Sequence, residues 1–184
     1  MRVNGGTLTF QFRGKSGIRH SVDVDDRRLA QVVKQCRDLP GHELFQYVDS
    51  HGKVQSVGSG DINQYLRDVT GEDFTAKDFR TWSATVLAVA ALRELPVAAT
   101  KGRSEKNVVT AIEAVARLLG NTRTVCRKSY VHPGVIDCYI AGTMAKILTR
   151  RSKSPRIAGL RPDEVAVLQI LKHISTKDTS RKAA

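Results

Sequence analysis

The chain contains few aromatic residues, few cysteines and no long apolar run. Aromatic residues make up 5% of its 184 residues while 41% are hydrophobic, so we expect an aliphatic and mostly helical core. No apolar stretch approaches the ~20 residues of a membrane-spanning helix, and no signal peptide opens the chain. The three cysteines show no CxxC spacing and the five histidines do not cluster, which predicts reduced, mostly buried thiols and no metal site.

Acidic residues are also scarce. The 18 Asp and Glu residues face 30 Lys and Arg residues, which gives a formal net charge of +12 and a pI near 10.0. A surplus of this size is typical of proteins that bind a polyanion. Because nothing in the sequence indicates a membrane partner, nucleic acid is the preferred interpretation. A basic surface that is merely solvated is the alternative.

The first part of the chain predicts a small β element. Residues alternate between apolar and polar from Leu8 to Phe12, and again from Ile18 to Val22 after a loop from Gly14 to Gly17. This pattern is typical of a β-hairpin. The elements that follow are a helix from Asp25 or Asp26 to Pro40, a short extended element around a turn at His51 and Gly52, and a brief helix ending at Gly71.

From Thr75 onward the pattern is helical, so the predicted fold class is mainly α (α+β) with a small N-terminal β-hairpin. The predicted order is a helix from Thr75 to Leu92, a polar linker from Thr100 to Asn107, a helix from Val108 to Gly120, a helix from Gly134 to Leu148, a loop, a last helix with Pro162 in its first turn, and a loose tail from Ser175.

Four polar side chains stand out against this scaffold, and each has an ordinary explanation. Lys15 at the hairpin tip can serve solubility, and Arg80 near a helix start can pair with a neighbouring aspartate. Asn121 after Gly120 is typical of a turn residue, and Tyr130 is typical of half-buried packing. Tyr130 differs from an ordinary tyrosine because Arg127 and Lys128 precede it and Pro133 follows it closely.

Taken together, several stretches resemble the catalytic domain of type IB DNA topoisomerases, in particular the small poxvirus-like enzymes of viruses and bacteria. The matching stretches occur in the order of that family and are FRGKSG, LPGHELFQYVD, INQYLRDVTGEDFTAKDFRTW and LLGNTRTVCRKSYVHP. The resemblance implies a helical catalytic domain over residues 1–150, with residues 151–184 forming a C-terminal helix and loose tail of the same domain. It also implies a cytoplasmic, nucleoid-associated monomer that relaxes supercoiled double-stranded DNA without ATP, metal or any other cofactor.

The resemblance assigns a role to each of the four side chains. It implies that Tyr130 attacks a DNA phosphodiester to give a 3′-phosphotyrosyl link, and that Lys15 is the general acid for the leaving 5′-oxygen. Arg80 resembles the arginine that binds the non-bridging oxygens, and Asn121 stands where poxviral enzymes carry a histidine. An amide can donate a neutral hydrogen bond to the same oxygen. The side chains expected to contact DNA phosphates are Lys77, Arg127 and Lys128.

One departure from the family concerns a further arginine, which the family carries on a segment before the hairpin. The chain begins at Met1 too late to include that segment or the family's N-terminal domain, and Arg2, Arg13, Arg27 and Arg28 do not occupy its place. The sequence therefore predicts either a C-terminal piece of a longer enzyme or a short enzyme with impaired activity.

Three alternatives remain at the level of sequence. A tyrosine recombinase shares the fold and the nucleophile, but recombinases carry a histidine three residues before the second arginine, where this chain has Lys77. A DNA-binding remnant without catalysis is the second alternative. A basic ribosome-associated protein is the third, although no RNA-binding motif is present.

Overall fold

The structure, a computed structural model, describes residues 1–14, 17, 19–41, 43–150 and 157–182, with the backbone alone at Arg150 and residues 177–182. The chain divides into two compact units, Met1–Thr75 and Ala76–Ala184. The prediction of a single catalytic domain over residues 1–150 stays a prediction. The predicted fold class, mainly α with a small N-terminal β element, is confirmed.

The first unit is built on an antiparallel sheet in the order β1, β2, β3. The predicted hairpin is present, because β2 pairs with β3 along its whole length. Leu8 of β2 is buried against Ala30 and Val33 of the first helix, and the Asp26 carboxylate caps that helix by accepting from the amides of Arg28 and Leu29 at 2.8 and 3.0 Å. The elements are β1 (Arg2–Asn4), β2 (Thr7–Arg13), β3 (Arg19–Asp25), α1 (Arg27–Arg37), β4 (Gln46–Val48), β5 (Val54–Ser56) and α2 (Ser59–Thr70).

The described residues of the second unit form six helices joined by short turns and loops, with no strand. Its core is aliphatic, and buried residues such as Val89, Ile112, Val135 and Ile170 come from four different helices. Cys126 comes from a fifth helix and is also fully buried. The helices are α3 (Ala76–Glu94), α4 (Lys101–Leu118), α5 (Arg123–Ser129), α6 (Pro133–Ile140), α7 (Thr143–Arg150) and α8 (Pro162–Lys182).

The polar linker predicted from Thr100 to Asn107 is wrong, because α4 already begins at Lys101. Thr100 caps the helix by accepting from the amide of Arg103 at 3.3 Å. Asn107 is buried, and its amide donates to the carbonyl of Pro96 at 3.0 Å and to the hydroxyl of Tyr139 at 2.7 Å. These partners are distant in sequence, so they satisfy a buried polar side chain that the local pattern places in solvent.

Two further helix boundaries differ from the prediction. The single helix predicted after Pro133 is interrupted between Ile140 and Thr143, where Gly142 adopts a left-handed conformation with φ +64°. The last helix continues to Lys182 and so includes most of the segment predicted as a loose tail. None of the described helices is long and apolar enough to cross a membrane.

Candidate active site

Arg80 and Tyr130 form the centre of the candidate site. Arg80 lies near the start of α3, where its side chain is exposed, and its guanidinium carbon lies 5.1 Å from the centroid of the Tyr130 ring. A guanidinium at this distance from an aromatic face is attracted by the negative face of the ring. The two residues are 50 positions apart in sequence, so the contact depends on the packing of the helices.

The carbonyl of Leu119 is the second feature of the site. Leu119 caps the C-terminal end of α4, where carbonyls lack helical partners and carry partial negative charge. The Nη2 of Arg80 donates a hydrogen bond to this carbonyl, and the Nδ2 of Asn121 donates to it at 3.3 Å. One oxygen atom therefore holds the donors of both predicted phosphate-binding side chains.

Gly120 explains how Asn121 reaches this position. It adopts a left-handed conformation with φ 63°, which glycine enters without the steric cost of a β-carbon. Its amide donates to Arg117 at 3.2 Å, and the amide of Asn121 donates to Ala116 at 2.9 Å. This pair of bonds is the Schellman arrangement that ends a helix, and it turns Asn121 back over the end of α4.

Tyr130 terminates the short helix α5. Its amide and that of Val131 both donate to the carbonyl of Cys126 at 3.1 Å. Val131 is buried, whereas the Tyr130 side chain is half-buried and packs against the core of the second unit. Among the described residues, the Tyr130 hydroxyl has no hydrogen-bond partner. Its ring is therefore held while its oxygen remains available.

Cys126 lies fully buried next to this pair. Burial raises the pKa of its thiol, and the positive charge of Arg80 partly opposes that rise. The thiol therefore stays protonated near neutral pH. A neutral thiol does not offset the positive charge of Arg80.

The remaining cations predicted to contact DNA are exposed. Lys77 lies three residues before Arg80 on α3, and Arg127 and Lys128 lie in the last turn of α5. Neither Arg127 nor Lys128 forms an ion pair with another described residue. Arg123 on the same helix differs, because its guanidinium lies 2.9 Å from the carboxylate of Glu113. Lys15, the predicted acid, lies outside the described residues.

Contacts with α8 stabilise the position of α3. The indole of Trp82 donates to the carboxylate of Glu164 at 3.2 Å, and the second oxygen of that carboxylate accepts from the amide of Arg161 at 2.8 Å. The amide of Arg161 and then the indole of Trp82 lower the pKa of Glu164. Arg93 and Asp163 add an ion pair at 2.8 Å between the same two helices.

The sequence alone did not identify two members of the site. The Leu119 carbonyl belongs to the main chain and has no residue signature. Thr85 contacts the Tyr130 carbonyl and the His132 amide, on either side of Val131, and the available signal was a hydroxyl within the otherwise apolar run from Ala84 to Ala91. No group of three or more His, Cys, Asp or Glu side chains among the described residues is arranged to hold a metal ion.

Two similarities to known proteins accompany this geometry. Residues 2–151 match the family model described as eukaryotic DNA topoisomerase I, catalytic core. The chain is 33% identical over 146 residues to a DNA topoisomerase 1B of Acanthamoeba polyphaga mimivirus, an alignment that covers 76% of this chain and 44% of the viral protein. The chain therefore matches less than half the length of that relative.

Proposed function

This chain belongs to the catalytic-core family of eukaryotic DNA topoisomerase I, and from that premise we propose that it relaxes supercoiled double-stranded DNA by transient cleavage of one strand. The nucleophile is Tyr130. The observation that carries the proposal is the Arg80 guanidinium over the Tyr130 ring, next to the amide of Asn121. A nucleophile flanked by donors for one oxygen is the arrangement that phosphoryl transfer requires.

In the cleavage step, the phenolic oxygen of Tyr130 attacks the phosphorus of a DNA phosphodiester. The new bond joins phosphorus to the tyrosine oxygen, and the tyrosine proton passes to solvent water. The bond to the 5′-oxygen breaks as that oxygen takes a proton from Lys15. One phosphodiester is exchanged for another, so the energy of the broken bond is retained in the 3′-phosphotyrosyl link. The reverse attack by the free 5′-hydroxyl reseals the strand, and no ATP, metal or other cofactor enters either step.

Arg80 and Asn121 stabilise the charge on the non-bridging phosphate oxygens. Without DNA, both side chains donate to the carbonyl of Leu119. A phosphate oxygen is a stronger acceptor than a neutral carbonyl because hydrogen bonds to a charged group are the stronger ones. The donors therefore exchange the carbonyl for the phosphate when DNA binds, and they are already gathered around a single oxygen before it arrives.

Lys15 protonates the leaving 5′-oxygen, since an alkoxide is a poor leaving group without a proton. Lys77, Arg127 and Lys128 neutralise phosphates along the duplex and fix its position without reading its sequence. We expect a monomer in the cytoplasm, associated with the nucleoid. The family match favours this function over a tyrosine recombinase. The remaining competitor is a DNA-binding protein without catalysis.

The experiment that tests the proposal traps the covalent intermediate. A duplex whose cleaved 3′ segment is a few nucleotides long loses that segment after cleavage, so resealing is prevented and protein–DNA adduct accumulates on a denaturing gel. We expect adduct with the unchanged chain and none with Tyr130→Phe, which removes only the hydroxyl. Tyr65→Phe, which changes an exposed tyrosine of α2, is the matched control and should still form adduct. Binding of the duplex without any adduct would contradict the proposal and favour the non-catalytic competitor.

A further inference from the structure

Thr85 connects the helix that carries Arg80 to the main chain around Tyr130. It lies five residues after Arg80 on α3 and is only 2% exposed. Its hydroxyl oxygen accepts from the amide of His132 at 3.2 Å and lies 3.3 Å from the carbonyl of Tyr130. It also lies 2.8 Å from the carbonyl of Thr81, one turn earlier on α3.

The Thr85 hydroxyl cannot donate fully to both nearby carbonyls, because it has a single proton. A threonine hydroxyl has one proton and two lone pairs. The proton is therefore divided between the carbonyls of Thr81 and Tyr130, and the Thr81 carbonyl is the nearer one. The amide of His132 uses a lone pair and does not compete with either carbonyl. Thr85 is thus a firm acceptor for His132 and a shared donor to Tyr130.

The main chain at this point needs such a partner. Tyr130 has φ −127° and ψ −31°, so the chain has left the helix α5 before Pro133 begins α6. A segment between two helices has amides and carbonyls without helical partners, and in an interior these groups have to be satisfied by another group. Thr85 supplies this group on either side of the buried Val131.

Two contacts from one helix therefore hold the tyrosine. Thr85 holds its main chain, and Arg80 covers its ring. We infer that Thr85 is a positioning residue that fixes the phenolic oxygen of Tyr130 relative to the phosphate held by Arg80. This inference rests on the proposed role of Tyr130 as the nucleophile. Displacement of a reacting atom by about 1 Å lowers the rate of such a reaction by a factor of about 100.

The first test measures the contact without DNA, using amide hydrogen exchange of the full chain by NMR. Thr85→Val keeps the shape of the side chain but removes the acceptor for His132. We expect exchange at the His132 amide to rise about tenfold or more, because its partner is lost. Exchange at Val89, in the core of α3, should stay unchanged, and Thr85→Ser should keep His132 protected. Unchanged exchange at His132 in Thr85→Val would overturn the inference.

The second test measures the rate at which the covalent adduct forms under single-turnover conditions. Thr85→Val should slow it about tenfold or more while the affinity for duplex DNA changes less than about twofold, since the change displaces the nucleophile and no DNA contact. Thr85→Ser should restore most of the rate. Thr110→Val removes a hydroxyl whose bond is to the carbonyl of Lys106 within α4, so it serves as the control with an unchanged rate.

The outcomes separate this inference from the proposed function. If the unchanged chain forms no adduct, the proposed function fails, and hydrogen exchange still decides whether Thr85 holds the segment. A normal adduct rate in Thr85→Val overturns the inference and leaves the proposed function intact. A loss of rate that equals the loss of folded protein, measured by circular dichroism, assigns Thr85 a structural role alone and also overturns it. If Thr85→Val does not fold, Thr85→Ala is measured in the same two ways.

Discussion

The guanidinium of Arg80 lies 5.1 Å from the centroid of the Tyr130 ring while it donates a hydrogen bond to the carbonyl of Leu119. The contact brings together the start of α3, the end of α4 and the end of α5. These three elements hold the side chains in place without DNA. A preorganised set of donors needs little rearrangement when charge develops during the reaction, and this is why such sites are effective.

Arg80 is expected to be the strongest single contributor after Tyr130. Arg80→Ala should lower the rate of adduct formation by roughly 100-fold or more, since removal of one donor to a developing charge commonly costs a few kcal/mol. Arg80→Lys should recover little of it, because an ammonium cannot reproduce the planar fork of a guanidinium. Single-turnover trapping measures both variants, and Arg93→Lys, in the last turn of α3, is the control. Full activity in Arg80→Lys would contradict the proposed role of the planar guanidinium at the non-bridging oxygens.

Much of the fold could be predicted from local pattern, and the misplaced start of α4 shows where local pattern is not sufficient. The cap at Asp26 and the hairpin of β2 and β3 depend on neighbouring residues, so the sequence was sufficient for them. The start of α4 was not predicted because Asn107 is satisfied by Tyr139, 32 residues later. A polar segment looks like a linker until such a distant partner is known.

The candidate site also contains residues that the sequence named and contacts that only the fold reveals. The resemblance named Arg80, Asn121 and Tyr130, and the structure shows that Arg80 contacts the Tyr130 ring and shares an acceptor with Asn121. The roles of these residues stay predictions. The shared carbonyl of Leu119 could not be found from sequence, because every residue carries a carbonyl and only the fold selects one. The contacts of the Thr85 hydroxyl with residues 130 and 132 depend on packing in the same way.

Asn121 should act as a neutral donor. Asn121→Leu is expected to lower the rate of adduct formation about tenfold or more, since a hydrogen bond to a charged phosphate contributes about 1.5–3 kcal/mol and 1.4 kcal/mol corresponds to tenfold. Asn121→His, which introduces the residue of poxviral enzymes, should retain or raise the rate. The readout is trapping over a pH series. A rate for Asn121→Leu equal to that of the unchanged chain would exclude Asn121 from the mechanism.

Glu164 should make stability depend on pH. Its folded-state pKa lies below the ordinary glutamate value of 4.5, so the folded chain favours the carboxylate more than the unfolded chain does. The resulting stabilisation is fully present above the unfolded pKa and is lost as pH falls through the lowered folded pKa. We expect Glu164→Gln to lower the melting temperature at pH 7, because a glutamine has one acceptor for two donors, and we expect this difference to shrink as the pH falls below 4.5. Thermal melts of Glu105→Gln, an exposed glutamate on α4, provide the control. A melting-temperature difference that does not shrink with falling pH would contradict this account.

Binding to DNA should be sensitive to salt and insensitive to sequence. Each phosphate contact releases counterions, so the slope of log affinity against log salt should become less steep by roughly one for each removed contact. We expect Arg127→Ala and Lys128→Ala together to reduce the slope by about two, as measured by fluorescence anisotropy. Arg123→Ala should reduce it less, because Glu113 already neutralises that guanidinium at 2.9 Å. If each of the three substitutions reduced the slope equally, the effect would come from net charge in general and not from specific phosphate contacts of Arg127 and Lys128.

Lys15 can be tested through the leaving group. An alkoxide needs a proton as it departs, whereas the thiolate released from a 5′-bridging phosphorothiolate does not. Lys15→Ala should therefore slow cleavage of ordinary DNA by a factor of about 100, within the range expected for a general acid, and should slow cleavage of the sulfur substrate far less.

Arg80→Ala is the matched comparison, because the loss of a donor to the non-bridging oxygens slows cleavage of both substrates. Rates of adduct formation on the two substrates provide the measurement. Equal losses on both substrates in Lys15→Ala would mean that Lys15 binds the phosphate, and the acid would then have to be sought elsewhere.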